Sequence, residues 1–294
     1  MLYRFRRATP RDRDAVFAFC QMTWEGGDYI PRVWERWLAD PRGALVVGVT
    51  AADQPVALGK LSVPVPGEGF LEGVRVAPAV RGRGWGRAMF AHLRALAYAQ
   101  GASIVRFLTA ADNTPVHHIA RALGFAHVAS YLPVRSECAV AAAPVRRATP
   151  EQAARLWAVV ERTSESRPPV RWHSWEAATA TRDWLEATAA AGGVLLSADG
   201  SALVALLPPA RESDPEAVLL AEAAPAGVAS IALLAGAPAR YPELLGAARA
   251  WGADQRAAGV FGLLPPTAGT AALAAGWTAY TQWPMRLYAH RRES

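Results

Sequence analysis

The alternation of apolar and polar positions divides the chain into two stretches that follow one plan. In the first, Tyr3–Arg7 reads as a short strand, and Pro10–Thr23 and Pro31–Ala39 carry apolar residues at helical spacing. Ala44–Thr50, Pro55–Pro64 and Phe70–Val76 are apolar runs separated by turn residues, which predicts an antiparallel meander. Gly86–Gln100 places Met89, Leu93, Leu96 and Ala97 on one helical face. Ser103–Thr109 predicts a strand, Asn113–Leu123 a helix closed by Gly124, and His127–Glu137 a returning strand. In the second stretch, Gln152–Arg162, Trp172–Ala190 and Glu243–Ala257 read as helices. Val194–Ser197, Ala202–Leu207, Ala217–Leu220, Val260–Leu264 and Tyr280–His290 read as strands. A meander joined to βα units predicts an α/β fold in each half: a mixed, mostly antiparallel sheet flanked by helices.

Short echoes support the repeat. Arg6-Arg7-Ala8-Thr9-Pro10 returns as Arg146-Arg147-Ala148-Thr149-Pro150, with Thr9 and Thr149 placed as N-caps and Pro10 and Pro150 at the first helical position. Trp34-x-x-Trp37 is echoed by Trp172-x-x-Trp175, and Gly124-Phe125 by Gly276-Trp277, with Tyr131 and Trp283 seven residues after each glycine. Three echoes in the same order predict tandem domains of one fold, residues 1–140 and 141–294, joined near Ala139–Pro144.

A chain of 294 residues suits two domains, and 52% hydrophobic with 19% charged residues supplies a large core. The charged start of the chain is followed by no apolar stretch, and Ala223–Ala239 is too short and too weakly apolar to span a bilayer. These features predict a soluble, cytoplasmic protein with no membrane partner. Cys20 and Cys138 are too few for a disulfide framework, and Cys20, in an apolar run, reads as a packed thiol. No His/Cys group has metal spacing, and the adjacent His117 and His118 point in different directions on a helix, so no metal is expected.

Charge sharpens the picture. Residues 1–140 hold 17 Lys/Arg and 11 Asp/Glu, while residues 141–294 hold 14 of each, so the net +6 lies in the first half. That half calls for an anionic ligand. No basic run is interleaved with aromatics and no nucleic-acid motif is present, so a phosphate-bearing small molecule fits better than nucleic acid.

Arg81-Gly82-Arg83-Gly84-Trp85-Gly86 follows a strand and opens a helix. Glycines let the backbone turn tightly against a ligand, and the first helical N–H groups with the helix dipole attract a diphosphate. Arg81, Arg83 and Arg87 add attraction. The spacing is not that of a dinucleotide fingerprint, and no Gly-Lys-Ser/Thr marks a P-loop. An ordinary glycine-rich turn with solvated arginines remains the plain alternative.

Val76-x-Pro78-x-x-Arg81-Gly-x-Gly-x-Gly, then a helix, a strand, Asn113 and Leu123-Gly124-Phe125, resembles the GNAT (GCN5-related N-acetyltransferase) family over residues 1–137. The resemblance implies two tandem GNAT-like domains and acetyl-CoA as cosubstrate. It implies that the strand ending at Val76 splays from its neighbour and pairs with pantetheine through Val74 and Val76. The diphosphate would sit on Arg81, Gly82, Arg83, Gly84, Trp85 and Gly86, and Asn113 would contact the cofactor. The second half has no such turn, so it reads as degenerate. Asp28-Tyr29-Ile30-Pro31, Trp37-Leu38 and Glu72–Pro78 are also similar to the vertebrate histidine N-acetyltransferase group, which suggests a free amino acid or other small amine as acceptor.

Transfer to an amine needs a base, an oxyanion site and a leaving thiolate. Backbone N–H groups near Val74 and Val76 suit the oxyanion. Relatives often carry a base glutamate on this strand, which implies Glu72; if Val74 and Val76 share a side, Glu72 shares it too. The base position that other relatives use is Leu108 here. The position of the usual tyrosine acid is Ala120, leaving His117, His118, Tyr131 or water as proton donor. Trp24, Asp28, Tyr29, Trp34 and Trp37 fall where an acceptor wall is expected, with Asp28 a candidate for recognising a cation. The expected protein is thus an acyl-CoA N-acyltransferase, monomeric or homodimeric. A non-catalytic acyl-CoA-binding or regulatory protein and a protein N-terminal acetyltransferase stay open as alternatives.

Overall fold

The computed structural model describes residues 3–21, 27–139, 146–173, 175–209 and 227–292. The chain forms two units: Met1–Thr109, Asn113–His127 and Tyr288–Ser294 make the first, Ala110–Asp112 and Val128–Leu287 the second. The division is therefore not a single cut near residue 140. Trp24, the expected strand Ala217–Leu220 and residues 140–144 of the expected join lie outside the described residues.

The first unit contains β1 (Arg4–Arg7), α1 (Arg13–Cys20), α2 (Ile30–Ala39), β2 (Ala44–Val49), β3 (Pro55–Ser62), β4 (Glu68–Val76), α3 (Trp85–Ala99), β5 (Ile104–Ala110) and α4 (Thr114–Ala122). β6 (Ala126–Glu137) then leads into the second unit. Strands β2 to β4 form the expected antiparallel meander, β1 adds to it antiparallel to β2, and β5 pairs with β4 in parallel. β2 is apolar at every position because both faces are covered. Ala44 and Val46 join the core of Met89, Phe90 and Leu93 from α3, while Leu45, Val47 and Val49 join that of Val16, Cys20, Val33, Trp34 and Trp37 from α1 and α2.

The second unit repeats this order with β7 (Arg146–Arg147), α5 (Pro150–Thr163), a hairpin of β8 (Val170–His173) and β9 (Glu176–Thr179), then α6 (Arg182–Ala190). β10 (Val194–Leu196), β11 (Ala202–Leu207), β12 (Ala229–Gly236), α7 (Tyr241–Asp254), β13 (Gly259–Leu264), α8 (Pro266–Ala274), β14 (Thr278–Ala279) and β15 (Met285–Arg291) follow. Its sheet runs β7-β10-β11-β12-β13, antiparallel except for the parallel β12–β13 step, with β6 antiparallel to β13. The same mixed sheet and the same parallel step thus occur twice.

Two of the echoes take equivalent places and two do not. Thr149 accepts from the Gln152 N–H and donates its own N–H to Gln152 Oε1, and Thr9 N–H donates to Asp12 Oδ2 (2.7 Å) in the same reciprocal pattern. Gly124 (φ +74) and Gly276 (φ +82) end α4 and α8 alike: Phe125 N–H reaches Ala120 O at 2.9 Å, and Trp277 N–H reaches Ala272 O at 3.0 Å. Positive φ is why glycine stands at both sites. The tryptophan echo differs. Trp34 and Trp37 lie on α2, whereas Trp172 lies on β8, so the expected helix Trp172–Ala190 is a hairpin followed by the shorter α6. Tyr131 is buried in β6 and Trp283 is exposed, so those two are not equivalent either.

A row of charged pairs lines the α2 side of the first sheet. Lys60, the only lysine of the chain, is buried and donates to Asp40 and to Leu61 O (2.8 Å). Arg75 grips Asp28 (2.7 and 3.2 Å), and Arg106 donates to Glu68 (2.6 Å). Burial pushes the Asp40 carboxyl up, but the Lys60 ammonium and the N–H groups of Arg42 and Gly43 outweigh it, holding it below the usual carboxylate range. Asp40→Ala strands a buried ammonium and is expected to lower urea-measured stability by about 3 kcal/mol. In the wild type, this contribution is complete above the ordinary carboxylate pKa of about 4 and is lost as pH falls through the lowered folded value. A variant as stable as wild type at neutral pH would overturn the assignment.

Candidate functional site

The parallel ladder between β4 and β5 stops at the Leu71–Phe107 pair, though β4 continues to Val76 and β5 to Ala110. The strands part there, as the resemblance led one to expect. Ala77 N–H donates to Val56 O on the β3 side at 2.9 Å. N–H direction alternates along a strand, so Val76 and Val74 turn theirs toward the side that β5 has left.

Immediately before this opening the β3–β4 register shifts, with Lys60 opposite Glu72 but Leu58 opposite Arg75. One extra residue on β4 makes a bulge at Gly73, whose φ of +62 favours glycine. A Cβ there would lie 2.5 Å from Trp37 Cζ3. The bulge corrects one expectation. Val74 and Val76 pack toward the α3 core, whereas Glu72, on the face of Lys60, points to the α2 side and accepts from Ser62 Oγ. Period-two reasoning fails here because the bulge inserts a residue into the alternation.

After β4, Pro78–Val80 forms a 3-10 turn, and Arg81–Gly84 then leads into α3. Gly82 (φ +73) and Gly84 (φ +83, the N-cap) take left-handed conformations. Arg81, Gly82, Arg83, Gly84 and Arg87 are exposed. Arg81 Nε donates to Val76 O (3.2 Å), and Tyr3 Oη donates to Arg83 O (2.6 Å), so the turn is tied to its own unit. Trp85 lies inward, edge-on to Tyr3 at 5.0 Å, and can offer a ligand only its backbone. At Gly86 an added Cβ would reach only ordinary contact with Ile119 Cδ1, at 3.4 Å. A helix N-terminus with two positive-φ glycines and three exposed arginines has the chemistry that attracts an anion.

Other expected site residues are placed as follows. Asn113 is the N-cap of α4: its Oδ1 accepts from Val116 N–H (3.4 Å) and its Nδ2 donates to Thr109 Oγ1 (3.0 Å). Asp28 is buried in its pair with Arg75 and accepts from Ile30 N–H (3.1 Å), so it is committed to structure and not open to a substrate cation. Tyr29 packs edge-on to Trp37 at 5.9 Å beneath the Arg75 guanidinium, and burial pushes its phenol up to about 12. Trp37 itself is core. Cys20 is buried, its thiol pushed up to about 12 by burial, in keeping with a packed thiol. His118 is exposed on α4, and His117 meets Tyr288 Oη at 3.0 Å. Tyr131 belongs to the second unit, buried edge-on to Trp172 at 4.8 Å. Among the described residues no group of three His, Cys, Asp or Glu could hold a metal, and no helix is long and apolar enough to cross a membrane. Sequence reasoning missed Ser62 and Arg75: the β3–β4 register sets Ser62 beside Glu72, and the bulge turns Arg75 to the face of Asp28.

The second unit reaches the same corner differently. Ala237 and the 3-10 turn Pro238–Arg240 match Ala77 and Pro78–Val80, but α7 starts at Tyr241 with no residues between. Four residues corresponding to Arg81–Gly84 are missing. Glu243 sits in the first turn of α7 and accepts from Ala198 N–H (2.7 Å), and Arg240 is spent on Asp199 (2.7 and 3.0 Å).

A splayed parallel strand pair followed by a glycine-rich turn at a helix start is an arrangement whose free N–H groups favour an anion. Residues 13–125 match the model described as the acetyltransferase (GNAT) family, and the chain is an enzyme of the acetyltransferase class. Two solved structures are similar in fold over nearly the whole chain. A proposed acetyltransferase from Thermoplasma acidophilum is 18% identical, covering 98% of this chain and 100% of that one, with a TM-score of 0.57. A GCN5-related N-acetyltransferase from Sphaerobacter thermophilus is 15% identical, covering 98% of this chain and 95% of that one, with a TM-score of 0.59. No curated protein matches in sequence.

Proposed function

We propose that the first unit moves an acetyl group from acetyl-CoA to the amine of a free amino acid or another small amine, by direct attack, and that the second unit binds no acetyl-CoA. The supporting observation is the exposed turn Arg81–Gly84 at the start of α3, beside the open edge of β4, present in one unit and missing from the other. In this reading the loop N–H groups hold the diphosphate, and the arginines draw it in. Val74 and Val76 N–H groups face the negative charge that develops on the thioester oxygen. Glu72 takes the proton from the attacking ammonium, since only the neutral amine is a nucleophile. A thiol with an ordinary pKa of about 8.5 leaves readily as thiolate, so neither His118 nor Tyr131 needs a role.

Glu72→Gln is expected to lower kcat/KM about 100-fold near neutral pH while leaving acetyl-CoA affinity unchanged. An unaltered rate would remove Glu72 from the mechanism. Thiol release across free amino acids, polyamines and peptides identifies the acceptor. Turnover of peptides alone would overturn the small-amine reading. Binding without turnover, and indifference to Glu72→Gln, would favour a carrier or regulatory protein.

A further inference from the structure

The strands that shape the opening also place one side chain against Glu72 that the reaction scheme has not used. Ser62, the last residue of β3, is buried, 5% exposed. Lys60 faces Glu72 across the ladder, so Ser62, two residues on, is the diagonal neighbour on the same sheet face. Its hydroxyl donates to Glu72 Oε1. We propose that Ser62 is a positioning residue for Glu72, fixing the carboxylate's direction and favouring its ionised, proton-accepting form. This rests on the reading of Glu72 as the base.

The surroundings make the contact rigid. Both are pinned by the β3–β4 ladder, Ser62 opposite Phe70 and Glu72 opposite Lys60. Around the pair, Asp28, Asp40 and Glu68 are each held by a cation, Arg75, Lys60 and Arg106, so none is free to swing toward Ser62. A hydroxyl that donates to a carboxylate stabilises the charged form, and its removal raises the pH at which the base is half-protonated. Ser62 keeps its own proton throughout. The carboxylate alone changes protonation state, and solvent takes the proton from it after transfer.

The test uses the full chain, acetyl-CoA and whichever amine of the panel turns over fastest. Ser62→Ala is expected to lower kcat about tenfold near neutral pH and to move the acid limb of the pH–rate profile up by roughly one unit, with KM for acetyl-CoA unchanged. Ser62→Thr, which keeps the hydroxyl, is expected to restore both. In a Glu72→Gln background, Ser62→Ala is expected to cause no further loss, because its effect passes through the missing carboxylate. An unshifted limb in Ser62→Ala, or a full additional loss in the double variant, overturns the proposal. If Glu72→Gln alone keeps the wild-type rate, the base reading fails, which is a separate and recognisable result. Should Ser62→Ala not melt cooperatively, Ser62→Cys, a weaker donor of similar size, is judged by the same limb.

Discussion

Deleting Arg81–Gly84, so that the 3-10 turn Pro78–Val80 runs straight into α3 as Pro238–Arg240 runs into α7, is expected to abolish acetyl-CoA binding. The second unit shows that the chain closes this corner without those four residues. What the deletion removes is specific: two positive-φ glycines that let the backbone face outward, two exposed arginines, and the approach to the unpaired N–H groups at the start of α3. Hydrogen bonds to a charged group are worth about 1.5–3 kcal/mol each, so losing two or three weakens binding by at least roughly 100-fold. Calorimetry of the wild type is expected to give one acetyl-CoA per chain, and of the deletion none. Two per chain in the wild type would mean that the second unit binds after all, despite Glu243 at its helix start. Retained binding in the deletion would show that the turn is not the cradle.

Much of the first unit was legible because its signals are local. The meander strands, the helix after the glycine turn and the Gly124 cap are each announced by a few adjacent residues, and the structure places them within a residue or two. The reading of the turn as an anion site rests on the same kind of signal. Other features depend on distant partners. β12 reads Ala-Ser-Ile-Ala-Leu-Leu-Ala-Gly, buried at every position, so it shows no alternation and its alanines and leucines favour helix when isolated. Ala177 and Ala178 misled in the same way: they become strand because β8 pairs with them and buries them. The Gly73 bulge was invisible because a glycine in a strand does not say on which strand the extra residue will fall. That single residue decides which faces Val74, Arg75 and Val76 take relative to Glu72. Least legible was the fate of residues 288–292, since no local pattern reveals that a strand returns to a unit begun some 280 residues earlier.

That return carries the second large expectation: a fragment of residues 1–140, or a chain cut after Leu287, will not fold its first unit. Tyr288 is buried in the α3 core, stacked on Phe107 with ring centroids 5.1 Å apart. Its hydroxyl meets His117 Nδ1 at 3.0 Å, and His290 Nδ1 meets Tyr98 Oη at 2.6 Å. Arg292 N–H donates to Ser103 O (3.0 Å), and its guanidinium to Tyr98 O (3.3 Å). Loss of the segment strips β5 of the neighbour on its outer edge and uncovers Phe107 and Phe125. An aromatic truncation alone costs about 3–5 kcal/mol, and several hydrogen bonds at about 1 kcal/mol each go with it. That total is comparable to the whole stability of a domain, about 5–15 kcal/mol. Circular dichroism melts and acetyl-CoA titration of both truncated chains check it. A fragment of residues 1–140 that melts cooperatively and binds acetyl-CoA would show that the first domain is complete by residue 140, and that the strand at 288–292 is an addition rather than a part of its core.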